Sequence, residues 1–260
     1  MFPYLVLNGR AIPMYTVIGV LGILLCILYY SPYKRTAWTA GVDLEGAFLC
    51  GLIGMLIGAK VFYLAQNLPS LIRHLPLLLT HTKEFLDVYL FGGLVFYGGL
   101  FGSLAGVLIY CRVKRIPLDA LRVLLPTIPL FHAFGRIGCF CMGCCYGRPW
   151  KYGIAFSHSD IAPNGIPLVP VQLMEAAGEL ALFVVLVLQY RRRGRSAQQM
   201  IGTYFILYGV MRFVLEFLRG DSYRGFIGVL SVSQTISIVT VAFGLWLCLR
   251  RSGCLPRQEA

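Results

Sequence analysis

The sequence predicts an all-α integral membrane protein of seven transmembrane helices, with the N-terminus outside and the C-terminus cytoplasmic. Three observations predict it. The 260-residue chain is 58% hydrophobic and only 13% charged, with a mean hydropathy of +0.73, whereas soluble domains carry roughly 25% charged residues. Seven stretches hold about 20 mainly apolar residues each, the length that crosses a bilayer core. Basic residues gather in alternate loops, as membrane topology requires.

The seven stretches are Ala11–Tyr30, Glu45–Gln66, Tyr89–Cys111, Ala120–Phe140, Val171–Tyr190, Met200–Leu218 and Ile227–Leu249. The opening MFPYLVLNGRAIPMY lacks the basic n-region and small-residue cleavage site of a signal peptide, so the first apolar segment is expected to stay. Lys34 and Arg35 follow the first stretch. Arg112, Lys114 and Arg115 follow the third, and Arg191, Arg192, Arg193 and Arg195 the fifth. With Arg250, Arg251 and Arg257 after the seventh, the odd-numbered exits carry twelve basic residues. Glu84, Asp87, Asp160 and Asp221 lie in the loops of the other side. The basic excess belongs in the cytoplasm. The net charge of +12 is thus explained by orientation, and no nucleic-acid partner is expected.

No segment looks like a separate soluble domain, so residues 1–260 are expected to form one polytopic membrane domain. Two outer segments, 67–88 and 142–170, are long. The first is semi-apolar and suits a helix lying in the interface. The second is rich in Gly and Pro turn signals.

Ionisable residues inside spans cost several kcal/mol unless they pair or line a wet cavity. This chain places Lys60, Arg136, Glu175, Glu179, Arg212 and Glu216 there. Tyr208, Arg212 and Glu216 are spaced i, i+4, i+8 and share one helix face, where Arg212 and Glu216 can pair. Gln172, Glu175 and Glu179 make a second polar face, and His132, Arg136 and Cys139 a third. Three such faces are expected to turn inward and line a cavity. For Glu179 an internal salt bridge, and for Lys60 snorkelling from near a span end, compete with a functional role. Arg136 and Arg212, at similar depth, repel unless an anion sits between them. A lipid phosphate suits the planar guanidinium fork.

The third stretch contains FGGLVFYGGLFGSLAG. Its glycines let helices pack closely; alternatively, Gly98 and Gly99 make room for a lipid beside the Tyr97 phenol. Residues 135–149, GRIGCFCMGCCYGRP, add Cys139, Cys141, Cys144 and Cys145. Four uses compete for these thiols: inert packing at a turn, a disulfide or redox role favoured by an outward location, direct contact with substrate, and a metal site with His132, for which the spacing is unusual.

VFYGGLFG, GRIGCFCMGCCYGRP and YGVMRFVLEFLR, in this order, resemble the prolipoprotein diacylglyceryl transferases. The resemblance runs from Tyr15 to the seventh stretch. It implies a bacterial plasma-membrane enzyme that moves the diacylglyceryl group of phosphatidylglycerol onto a prolipoprotein cysteine thiol, releasing glycerol phosphate. It implies no cofactor and no resident metal. Its partners are a phosphatidylglycerol-like lipid and a thiol acceptor such as a lipobox peptide. By this resemblance Arg136 matches the signature arginine. Gly138, Gly143, Gly147 and Arg148 keep its frame, and Tyr208, Arg212 and Glu216 match the essential trio of the sixth span. Tyr15 matches a first-span tyrosine, and Gln172 and Glu175 match part of H-P-S-Q-L-Y-E, whose histidine is Val169 here. The family's His-Gly-Gly reads Tyr97-Gly98-Gly99, and Cys139 and Cys144 replace its asparagine and glutamate.

The expected catalytic group is then Tyr97, Arg136, Arg212 and Glu216. Tyr15, Gly98, Gly99, Gly138, Cys139, Gly147, Gln172, Glu175 and Tyr208 are expected to bind substrate. The phosphate lies between the arginines, whose charge stabilises the leaving group. Tyr97 takes the place of the base, although a phenol of pKa about 10 is a poor one near neutrality. Two rivals are a membrane thiol-disulfide or metal-dependent oxidoreductase using the Cys139–Cys145 cluster, and a non-catalytic lipid-binding paralogue.

Overall fold

The computed structural model describes residues 3–7, 10–91, 93, 95–192, 195–221 and 225–250. The basic residues Arg193, Arg251 and Arg257, which enter the orientation argument, lie outside the described residues. The long helices among the described residues are α1 (Met14–Tyr30), α2 (Leu44–Gln66), α3 (Phe96–Lys114), α4 (Thr127–Met142), α5 (Val171–Arg191), α6 (Ala197–Leu215) and α7 (Val232–Leu249).

Six helical segments are long and apolar enough to cross a membrane: Met14–Thr39, Leu44–Gln66, Leu118–Met142, Val171–Arg191, Ala197–Leu218 and Val232–Leu249. The chain is an integral membrane protein. Side chains such as Leu24, Leu28, Ile57, Val184 and Val239 are more than half exposed, the lipid-facing side of such helices. The expected third span, Tyr89–Cys111, is where sequence and structure differ. Residues Asp87–Phe91 form a π-helical turn, Gly93 takes φ +41°, and α3 starts only at Phe96 behind an extended Val95. Helix α3 carries four glycines and the basic residues Arg112 and Lys114.

Other boundaries moved for local reasons. The apolar Ala11–Pro13 does not open a helix: it pairs with Tyr4–Val6 in an antiparallel hairpin, β1 (Tyr4–Leu7) with β2 (Arg10–Pro13). The last expected span begins at Val232 rather than Ile227, because Ser231 and Gln234 form a reciprocal capping box. Ser196 and Gln199 do the same for α6 and start it ahead of Met200. The fourth is preceded by a 3-10 segment, Leu118–Leu124. The long elements are all helical, as expected. Among the described residues there are also three two-stranded antiparallel sheets. One lies in the segment 142–170 and pairs β3 (Pro149–Ala155) with β4 (Pro167–Leu168). The segment 67–88 breaks into three short helices, Leu68–His74, Leu77–Thr80 and Thr82–Leu86, because Pro76 and the non-helical His81 interrupt it.

Two compact units emerge. The first comprises Met1–Tyr33 and Arg122–Ala260, and the second Lys34–Leu121. In the second, α2 and α3 pair through bare backbone. A methyl group on Gly54 would run into the carbonyl oxygen of Gly102, one on Gly58 into that of Gly98, and one on Gly106 into that of Cys50. Asp43 caps α2 by accepting from the Gly46 N–H. In the first unit, α1 packs on α4, α4 on α5, and α6 on both α5 and α7. Gly22 allows the α1–α4 approach, since a side chain there would press on Phe134.

Candidate active site

The three polar faces of the first unit converge. His132 and Arg136 come from α4, Gln172, Glu175 and Glu179 from α5, and Tyr208 and Arg212 from α6, with Glu216 in the 3-10 turn that follows; all are at least nine-tenths buried. Glu175 is the hub. Its Oε1 lies 2.9 Å from Arg136 Nη2, and its Oε2 lies 3.9 Å from Arg212 Nη1. The sequence argument asked for an anion between the two arginines, and a carboxylate of the protein supplies one. Arg212 Nη2 meets Glu216 Oε2 at 2.8 Å and donates to Ser233 Oγ at 3.1 Å. The predicted i, i+4 pair is therefore present, and a residue of α7 accepts from the same guanidinium nitrogen.

These contacts leave donors over. Arg136 Nε and Arg212 Nη1 are buried with no hydrogen-bond acceptor among the described residues. Buried N–H groups of charged side chains are costly to leave unmet. Two guanidinium edges from different helices are thus preset to receive acceptor oxygens.

Behind this pair lies an acid–base contact. His132 Nδ1 is 2.6 Å from Glu179 Oε1. His132 Nε2 is 4.0 Å from Glu175 Oε1, and its ring meets Tyr208 edge-on at 5.3 Å between centroids. Tyr208 in turn stacks on Tyr204 at 5.6 Å. Sequence reasoning placed His132 and Glu179 on separate faces and did not pair them. The signal was available: His132 stands one turn before Arg136 on α4, and Glu179 one turn after Glu175 on α5.

The cysteine stretch is shaped by one turn. Helix α4 ends in a left-handed Gly143, φ +76°, with Gly143 N–H donating to Phe140 and Cys144 N–H to Cys139. This 6→1 and 5→2 pattern is the Schellman motif. It folds Cys144 and Cys145 back over the last turn, so the sulfurs of Cys139, Cys144 and Cys145 all lie within 4.8 Å of one another. Cys141 is not part of that group, and all four thiols are free. Cys145 itself is left-handed at φ +59°, unusual for a residue with a Cβ.

The loop is pinned from two sides. Gln172 Nε2 donates to the Cys144 carbonyl at 2.8 Å. Arg148 N–H donates to Leu218 O, and Gly220 N–H to Tyr146 O. Gly147 pairs with Arg219 here, and a side chain at 147 would strike Val169. A small apolar core of Phe156, Ala162 and Leu168, with Phe140 and Tyr146 against it, backs the segment. Hydrogen bonds from Cys139 and Cys144 hold the Cys145 thiol well below its usual range; Arg136 and Arg219 add to this, and burial opposes it. Burial works against the Arg219 charge, but its hydrogen bonds to Asp221, at 2.8 and 2.5 Å, keep it above the usual range.

Of the remaining predicted residues, Tyr15 lies in the first turn of α1 against Gly138, where a methyl group would be 2.9 Å from its ring. Tyr97, Gly98 and Gly99 belong to the second unit, on α3. Tyr97 is buried; Gly98 is occupied in packing against Gly58 and Phe62, and Gly99 against Met55 and Ala59.

The family model for prolipoprotein diacylglyceryl transferase matches residues 3–250. This chain belongs to that family. It is 33% identical over 244 residues to a phosphatidylglycerol–prolipoprotein diacylglyceryl transferase of Clostridium tetani, covering 93% of this chain and 94% of the relative. It is 34% identical over 208 residues to the second such transferase of Clostridium perfringens, covering 78% and 77%. A third relative, from Methylibium petroleiphilum, is 32% identical over 227 residues, covering 85% and 78%. Membership in the diacylglyceryl transferase family favours neither the oxidoreductase nor the non-catalytic alternative.

Proposed function

We propose that this chain transfers the diacylglyceryl group of phosphatidylglycerol to the cysteine thiol of a prolipoprotein, releasing glycerol phosphate, in a bacterial plasma membrane. The observation that carries the chemistry is Glu175 held between Arg136 and Arg212, with N–H edges of both arginines unmet. A phosphodiester approaching this cluster gains two guanidinium forks already in position. As the glyceryl C–O bond breaks, negative charge collects on the departing phosphate, where fixed cations in a water-poor site are worth most. Glu216 and Ser233 orient Arg212, while Tyr208, Gln172 and Tyr15 border the space. The proton lost by the thiol is balanced by the phosphate monoester that leaves.

The seven-span arrangement, N-terminus outside, belongs to this proposal. What supports the seventh is the α2–α3 contact: backbone meets backbone from Cys50 and Gly106 to Gly58 and Gly98, so α3 follows a spanning helix along its length. The reaction then lies toward the outer leaflet, where a prolipoprotein acceptor such as a lipobox peptide emerges.

The test is an assay of purified protein with headgroup-labelled phosphatidylglycerol and a lipobox peptide. Glycerol phosphate and a thioether-linked peptide of matching mass are expected. Release of neither would overturn the assignment, and lipid binding with no covalent product would favour the non-catalytic alternative.

A further inference from the structure

The transferase chemistry leaves one cluster unexplained. An ordinary thiol of pKa about 8.5 is only about 3% thiolate at pH 7, so S-alkylation needs a device that removes the proton. The sequence puts a tyrosine where the family carries its histidine. It puts sulfur where the family carries asparagine and glutamate, at Cys139 and Cys144. Those two sulfurs and that of Cys145 are what the Gly143 turn gathers within 4.8 Å.

We propose that Cys139, Cys144 and Cys145 form a three-thiolate site for a zinc-class cation whose fourth position takes the acceptor thiol; this rests on the transferase assignment above. The donor set argues for it. Thiolates select soft or borderline d10 ions, and Zn–S bonds of about 2.3 Å place tetrahedral sulfurs about 3.8 Å apart. The observed spread closes to that by small side-chain rotations. Structural zinc sites are closed by four protein ligands, whereas three ligands leave an open position for substrate. Among the described residues the group has three members and excludes Cys141. Its thiols are half-buried rather than sealed. The backbone is held by Gln172 and by the strand-like clamp to Leu218 and Gly220, which fixes ligand geometry before the ion arrives. Arg136, one helical turn before Cys139, and Arg219 both lie within electrostatic reach of Cys145 and offset the negative charge of a thiolate-bound ion.

The step balances. The acceptor R–SH binds the cation through sulfur and loses its proton, since a coordinating thiol is deprotonated outright. The bound sulfur attacks the glyceryl carbon, an S–C bond forms, and the C–O bond to phosphate breaks. The electron pair leaves with glycerol phosphate, which takes up the proton. The thioether product is a weaker ligand than a thiolate and departs.

The experiment uses the full chain in phosphatidylglycerol nanodiscs, stripped of metal under reducing conditions and titrated with Zn2+ against a chromophoric chelator. One equivalent per chain is expected for the wild type and for Cys141→Ser. None is expected for the Cys139→Ser/Cys144→Ser/Cys145→Ser variant, or for Cys139→Ser alone should the triple variant fail to elute as a single species. X-ray absorption at the zinc edge should count three sulfurs, rising to four when a thiol peptide is added. Stripping should slow thioether formation at pH 7 by at least about 30-fold, the reciprocal of that thiolate fraction, with recovery on adding zinc. Absence of zinc uptake, uptake that survives the serine substitutions, a sulfur count unchanged by the peptide, or a transfer rate indifferent to stripping would each overturn the proposal. If zinc binds and a fourth sulfur appears while no lipid product forms under any condition, the site stands and the transferase assignment fails.

Discussion

Two helix contacts in this chain are built on opposite principles. Between α2 and α3 there is almost nothing: glycine faces glycine, and the fit is backbone on backbone. Among α4, α5 and α6 there is nearly everything that is costly in lipid: two arginines, three glutamates and a histidine, nine-tenths or more buried. The first contact is held by dispersion and shape, which fail when volume is added. The second is held by charge balance, which fails when one partner is taken away. A substitution that is mild in one place is therefore severe in the other.

The largest effects are expected from breaking the charged contact. Arg136→Ala or Arg212→Ala should lower transfer by about 100- to 1,000-fold, the scale of losing one preset donor to a developing charge. The fall should appear in the rate at saturating lipid, and lysine should not restore it, because a point charge lacks the fork. Glu175→Gln keeps the shape and removes the charge between the arginines. Its activity loss should exceed that of Glu216→Gln, since Glu175 meets both Arg136 and Arg212. Equal losses would mean that Glu175 is not the hub.

Next comes the steric contact. Gly102→Val should destabilise the protein by about 1–3 kcal/mol or more, read as a lower thermal midpoint in detergent, whereas Gly19→Val on α1, where no neighbour lies in the way, should leave it unchanged. Within the charged cluster, a double-mutant cycle of His132→Gln and Glu179→Gln should give a coupling of about 0.5–3 kcal/mol in stability, and a null result would say that the 2.6 Å contact does not hold in solution. The smallest effect belongs to Ser233→Ala. Losing one hydrogen bond to a guanidinium is worth about 1.5–3 kcal/mol at most, and Glu216 still holds Arg212, so a rate loss of about tenfold or less is expected.

The contrast also explains what was legible in the sequence. Glycines at 54 and 58, and at 98, 102 and 106, recur every four residues, and a face of that period is visible without a structure. The Arg212–Glu216 pair is equally local. Glu175 between two arginines was not legible, because it depends on how three helices are rotated about their axes, and no spacing within one helix states that. Span ends were misjudged where polar caps or strand pairing outbid hydropathy, as at Ser231 and in Ala11–Pro13. The grouping of Cys139 with Cys144 and Cys145 was hidden because it hangs on one left-handed residue.

That residue, Gly143, has a wider consequence. A bend that asks only for glycine is indifferent to what its arms carry. This chain mounts the sulfurs of Cys139, Cys144 and Cys145 on it. Under the proposed roles, reaction scope can be retooled by exchanging two or three side chains on an unaltered hinge, with the arginine cluster of the helices behind it left untouched.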